Sequence, residues 1–167
     1  MTTHAPSVSP DGTVRRVAGG HELRFERFLP HPIGRVWAAL TESDALAAWL
    51  APGEFDLVPG GRAHLAFANT GHVLDGRVVA VEPPRLLAYT WGEGHGVVRW
   101  ELSSADGGTR LVLTHVFPVA AEAPSFLAGW HTHLELLALA LSGEPASWPW
   151  GRWHELHARY AASEATP

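Results

Sequence analysis

At 167 residues, 46% hydrophobic and 17% charged, the chain is long enough for one domain with a substantial core and too apolar for intrinsic disorder. A net charge of −5 offers no electrostatic footprint for nucleic acid or anionic lipid, and the absence of cysteine removes disulfides, cysteine-based zinc sites and thiol catalysis. No apolar run approaches the roughly 20 residues of a membrane span, and no basic-then-apolar leader opens the chain, so a cytoplasmic protein without membrane insertion is expected.

Residues 1–20 are rich in Pro, Gly, Ser and Thr and lack apolar periodicity, which predicts a flexible N-terminal arm. In HELRFERFL (21–29), Leu23, Phe25, Phe28 and Leu29 predict a first strand, which Pro30 and Pro32 end. Pro32 also suits the first turn of a helix, where its missing N–H has no partner to lose. Ile33, Val36, Trp37 and Leu40 then recur at i, i+3, i+4 and i+7, the signature of a short amphipathic helix. Thr41 and Ser43 are capping signals for a second short helix across TESDALAAWL.

From Gly53 the pattern changes to strands. EFDLV, a PGG turn and RAHLAFA predict a hairpin. HVLDGRVVAVE runs to Pro83–Pro84, RLLAYTW to the glycine-rich GEGHG, VVRWELS to the turn SADGG, and TRLVLTHVF completes an antiparallel meander. SFLAGWHTHLELLALALSG (125–143) predicts one long helix, capped by Ser125 and ended by Gly143. Phe126, Trp130, His133, Leu134, Leu137 and Leu141 form its apolar stripe. Leu136 and Leu139 lie off that stripe, so either the C-terminal tail or a second subunit must cover them; a homodimer is one of these two outcomes. A shorter helix is expected over about 151–162.

This order of elements predicts an α+β, helix-grip architecture: a curved antiparallel sheet of six to seven strands wrapped on a long C-terminal helix, with two short helices after the first strand. The domain spans 21–143, a clasp over 144–162 packs on it, and 163–167 form a tail. The runs RVWAALTESDALAAWL, the PGG turn, GRVVAVEPPRLLAYTW, GGTRLVLTH and GWHTHLELLALALSG resemble the bacterial AHSA1-like branch of the START/SRPBCC superfamily, named for activator-of-Hsp90-ATPase homologues. The resemblance covers roughly residues 21–162. It implies a START/Bet v 1-like fold and three functions that members carry out: binding of a hydrophobic small molecule, including self-resistance and stress-related roles; cyclase or dehydratase chemistry on polyketide-type substrates; and protein interaction in the manner of the Hsp90 activators. The superfamily has no shared catalytic motif to transfer, so catalytic residues remain unassigned and no cofactor is expected.

Strand alternation selects the side chains facing the helix. Leu65 and Phe67 come from the hairpin, and Tyr89 and Trp91 from the next strand. Val98 and Trp100 precede the last turn; Leu113, His115 and Phe117 follow it. Trp130, His133 and Leu137 face them from the long helix. Together they predict an aromatic-rich ligand chamber with His115, His133 and Tyr89 as polar anchors, or else an ordinary packed core. The ligand-binding reading predicts a void lined by Trp91, Trp100, Phe117 and Trp130. Asp75 becomes an acid–base partner only if it faces inward, and Gly76 beside it leaves that face open. His131 and His133 point about 200° apart on a helix and cannot share one ion. His154 and His157 have i, i+3 spacing but no third ligand, so no metal site is expected. GEGHG, with no helix after it, is a gate at the cavity mouth or a plain hairpin tip. In the tail, Pro149 interrupts regular structure between Trp148 and Trp150, and Trp153, Leu156, His157 and Tyr160 share one helical face, as a hydrophobic clasp requires.

Overall fold

The computed structural model describes residues 10–145 and 147–164. Among them, eight strands form one antiparallel sheet in the order β1-β2-β8-β7-β6-β5-β4-β3. The strands are β1 (Thr13–Val17), β2 (Gly20–Leu29), β3 (Gly53–Phe55), β4 (Arg62–Ala66), β5 (Val73–Glu82), β6 (Leu86–Thr90), β7 (Val97–Ala105) and β8 (Gly108–Phe117). Helices α1 (Ile33–Thr41) and α2 (Ser43–Trp49) follow β2, and α3 (Ala123–Leu141) and α4 (Trp150–Glu164) follow β8. The helix-grip reading holds, with one more strand than expected.

That extra strand corrects the N-terminal arm. Thr13–Val17 pairs antiparallel with β2, Val14 opposite Leu23, while residues 1–9 lie outside the described residues. A five-residue segment with only two valines has little apolar pattern of its own; its order comes from the open hydrogen-bonding edge of β2. The β7–β8 hairpin closes on Asp106–Gly107, both at positive φ (44° and 80°), which is the type I′ geometry that an Asp-Gly pair favours.

The helix starts differ from the capping signals. Glu42, extended at φ −86° and ψ 135°, separates α1 from α2, and neither Thr41 nor Ser43 supplies a side-chain cap. Thr41 Oγ1 instead donates to the Trp37 carbonyl at 2.8 Å, the local competition expected of a hydroxyl inside a helix. A 3-10 turn, Ala120–Glu122, leads directly into α3, so Pro124 stands in its first turn and Ser125 is already inside.

Helix α3 is buried nearly all round. Leu134 and Leu137 face the interior, and α2 and α4 lie against its other sides. The expected clasp is α4, which begins one residue earlier than predicted because the Pro149 carbonyl accepts the Trp153 N–H at 3.0 Å. Leu156 is wholly buried and Tyr160 nearly so. Leu136 is buried, whereas Leu139 stays partly exposed. The end of the tail, 165–167, lies outside the described residues. No helix among the described residues is long and apolar enough to cross a membrane.

Candidate functional site

The sheet presents two inward rows to α3. In one, Leu23, His115, Val98, Tyr89 and Val78 are successive cross-strand partners; in the other, Phe25, Leu113, Trp100 and Leu87 are. The alternation then sends Arg24, Arg99, Glu26 and Glu101 to the outer face, where Arg24–Glu26 and Arg99–Glu101 pair in solvent. All twelve side chains selected from sequence face the interior. Leu65, Val98, Leu113, His115, Phe117 and Leu137 are fully buried, Phe67, Tyr89, Trp100, Trp130 and His133 are buried, and Trp91 is half-buried.

The aromatic members touch one another. Trp130 of α3 lies 4.9 Å from Trp91 and 5.5 Å from Trp100 between ring centroids, the latter edge-on at 83°. Trp49 of α2 meets Trp100 at 90° and 5.7 Å. At the other end Phe126 bridges His115 (4.5 Å) and Phe117 (5.2 Å). Trp91, Trp100 and Trp130 are therefore in ring contact, and Phe117 joins them through His115 and Phe126. Edge-to-face pairs of this kind contribute about 0.5–1.5 kcal/mol each beyond burial.

Most polar atoms inside this cluster are already engaged. Trp100 donates its indole N–H to the Tyr89 hydroxyl at 3.1 Å, and burial pushes the Tyr89 phenol above its ordinary range. His115 Nε2 lies 2.7 Å from the His95 carbonyl, which can only accept, so Nε2 carries the proton. The opposite nitrogen, Nδ1, then accepts the Trp130 indole N–H at 3.1 Å. Burial lowers His115 to about 4, so the neutral ring is held in that tautomer. Both nitrogens of His115 are thus spoken for, whereas the Tyr89 hydroxyl only accepts and His133 uses one nitrogen. His133 Nδ1 lies 3.0 Å from the Trp49 carbonyl and must be its donor, which leaves Nε2 as a bare acceptor. Its burial likewise lowers it to about 4.

A recess of about 140 Å³ opens beside His133, bordered by Trp49, Pro52, Asn69, Leu136 and Trp148. Trp148 packs its ring on His133 with centroids 4.7 Å apart. Its indole N–H is buried and has no hydrogen-bond partner, alone among buried side-chain polar atoms of the described residues. Such a group costs about 1–3 kcal/mol, and native proteins leave few of them. Sequence periodicity could not place Trp148 here, because Pro149 breaks any repeat that would orient it. Trp49 was also missed as a site residue, although it stands at the end of the second amphipathic segment.

The remaining candidates lie elsewhere. Asp75 faces outward, paired with Arg62 and His64 at 3.2 Å each, and these hydrogen bonds hold its carboxyl below the ordinary range. It is remote in kind from the inner cluster: Gly76, its neighbour, takes the inward position against the Thr90 backbone. In the 92–96 loop, His95 reaches Glu122 at 3.2 Å while its carbonyl holds His115, so the loop is tied down at His95. His131 points away from His133 toward Tyr160 of α4. His157 stacks on Trp153 at 4.9 Å and His154 is exposed, so both serve the surface of the clasp.

A family model described as activator of Hsp90 ATPase homolog 1-like protein matches residues 30–142. Among solved structures, the protein encoded by BPP1335 of Bordetella parapertussis is 37% identical, with a TM-score of 0.70 over 96% of this chain and 94% of that one. CalU16 of Micromonospora echinospora is 25% identical, with a TM-score of 0.72 over 90% of this chain and 94% of that one. DynU16, a protein of the dynemicin biosynthetic locus, is 28% identical, with a TM-score of 0.66 over 74% of this chain and 48% of that one. Among curated proteins no match is found.

Proposed function

The chain belongs to the AHSA1-like family of activator-of-Hsp90-ATPase homologues, and on that premise we propose that it binds, by sequestration or carriage, a hydrophobic aromatic small molecule between its sheet and α3. The observation that carries this reading is the make-up of the inner wall. Tryptophans 49, 91, 100 and 130, with Tyr89 and Phe67, pack on one another between sheet and helix where a void was expected, and a recess borders this cluster at His133. A wall of large flat side chains with few, placed polar groups is what an aromatic ligand needs. The recess alone is small for a drug-sized molecule, so binding requires Trp148 and the rings behind it to move apart. CalU16 and DynU16 are similar in fold, and the latter's biosynthetic locus makes a natural-product ligand the first class to try.

Binding is favoured over turnover because both nitrogens of His115 are already committed to internal hydrogen bonds. A protein-interaction role is disfavoured because the exposed large apolar side chains, Phe28, Val58, Val73, Val79 and Trp150 among them, are dispersed over several elements. The test is a tryptophan-fluorescence titration with a panel of polycyclic aromatic metabolites, repeated with Trp130→Phe. Saturable quenching that weakens in the variant supports the reading. A panel that leaves the emission of the native chain unchanged overturns it.

A further inference from the structure

Two rings in contact at the border of the recess carry one unused donor and one unused acceptor. Trp148 contributes a buried indole N–H without a partner. His133, its Nδ1–H committed to the Trp49 carbonyl, contributes the lone pair of Nε2 and makes no other hydrogen bond to the described residues. The other buried indoles are satisfied: Trp49 donates to the Ala39 carbonyl at 2.8 Å, Trp100 to Tyr89 and Trp130 to His115. Trp148 is therefore the one buried indole among the described residues whose N–H has no acceptor.

From this pairing we infer that the ligand presents an aromatic hydroxyl to the recess, its oxygen accepting from Trp148 Nε1–H and its proton donated to His133 Nε2. The inference rests on the binding reading given above and narrows it to a chemical class, the phenols and hydroxylated polycyclic aromatics. The two rings are in contact, with centroids 4.7 Å apart, and a hydroxyl is the smallest group that offers an acceptor to the indole and a donor to the imidazole. A carbonyl or an ether has no proton for His133. A carboxylate has none either, and stripping water from its charge is costly. The volume of about 140 Å³ also suits a single six-membered ring, since an apolar cavity of about 150 Å³ accepts benzene. Burial keeps His133 neutral down to a pH of about 4, so its lone pair is available throughout the physiological range.

The probes are 2-naphthol and 2-methoxynaphthalene, titrated into the full ¹⁵N-labelled chain. The indole N–H signal of Trp148 is identified by its loss in Trp148→Phe. The expected result is a downfield shift of that signal with 2-naphthol and an affinity about tenfold higher than for the ether, the worth of one hydrogen bond to a buried group. In Trp148→Phe the preference falls to within about threefold. Equal affinity for the two probes in the native chain overturns the inference, and that comparison needs no variant. Failure of both naphthalenes to bind while larger aromatics quench tryptophan emission overturns the inference and leaves the binding reading standing. Failure of every aromatic overturns both.

Discussion

The phenol oxygen of Tyr160, on α4, lies 2.7 Å from Nδ1 of His131, on α3. The same oxygen accepts the Gly12 N–H at 2.9 Å, just ahead of β1. On the far side of the imidazole, Nε2 faces Glu135 at 3.6 Å, and Arg152 grips that carboxylate through two nitrogens at 2.8 and 3.1 Å. The Arg152 hydrogen bond holds Glu135 below the ordinary carboxylate range. One chain of polar contacts thereby joins the N-terminal strand, the long helix and the clasp.

Replacing Tyr160 by Phe keeps the ring and removes the hydroxyl, leaving the Gly12 amide and a buried imidazole nitrogen without a partner. The expected cost is about 1–2 kcal/mol, read as a lower urea midpoint with an unchanged slope. Amide exchange should also accelerate in β1, which the Gly12 contact anchors.

Acid should destabilise the protein through its buried histidines. Burial lowers His115, His131 and His133 from 6.5 to about 4 each. As pH falls below 6.5 the unfolded chain takes up protons that the folded chain refuses, so stability present above 6.5 is lost progressively down to about 4. Each histidine adds a slope approaching about 1.4 kcal/mol per pH unit inside that window. Denaturant midpoints between pH 7.5 and 4 measure it, and His115→Gln should remove about one third of the slope.

Two glycines of one loop should respond differently to alanine. Gly96, at φ 86°, would bring an added Cβ to 1.6 Å from the Val116 carbonyl oxygen, whereas Gly94, at φ 80°, has open space around it. Gly94→Ala should cost about 1 kcal/mol, the left-handed backbone penalty alone. Gly96→Ala should cost about 2 kcal/mol or more and disturb the His95 carbonyl that holds His115. Thermal unfolding of the two variants provides the comparison.

The clasp should matter for stability before it matters for binding. Leu156→Ala, at a fully buried position, should cost about 2–5 kcal/mol. His154→Ala, at an exposed one, should stay within about 0.5 kcal/mol. Affinity of Leu156→Ala for any ligand, measured where the protein remains folded, should be close to that of the native chain.

Periodicity carried the interior well. Period-two alternation in β6, β7 and β8 and the 3.6-residue stripe of α3 place Tyr89, Trp100, His115 and Trp130 on facing surfaces without any knowledge of register. What periodicity could not supply is contact between elements distant in the chain. Thr13–Val17 becomes a strand because β2 has a free edge. Trp148 finds His133 because Pro149 lets the chain turn before α4. Asp75 faces out by simple alternation with the buried Leu74 and Gly76, and only the suspicion of a bulge at Gly76 had hidden it; the register irregularity in β5 lies instead between Val78 and Ala80. The spare hydrogen-bonding capacity at the recess is less accessible still, since it depends on knowing which partner every other indole and imidazole has taken.

The pairing of β2 with β8, residues 21–29 against 109–117, has a consequence for how the chain is made. During synthesis β2 leaves the ribosome long before its central neighbour, and at about 5–20 residues per second that interval lasts several seconds. Through it, Leu23 and Phe25 have only the short strand β1 beside them. The β3–β6 meander can pair locally meanwhile, but the sheet cannot begin to join β2 until Thr109, the partner of Leu29, has emerged. Order of emergence, rather than any weakness of the finished core, makes the first strands the segment most exposed to wrong partners.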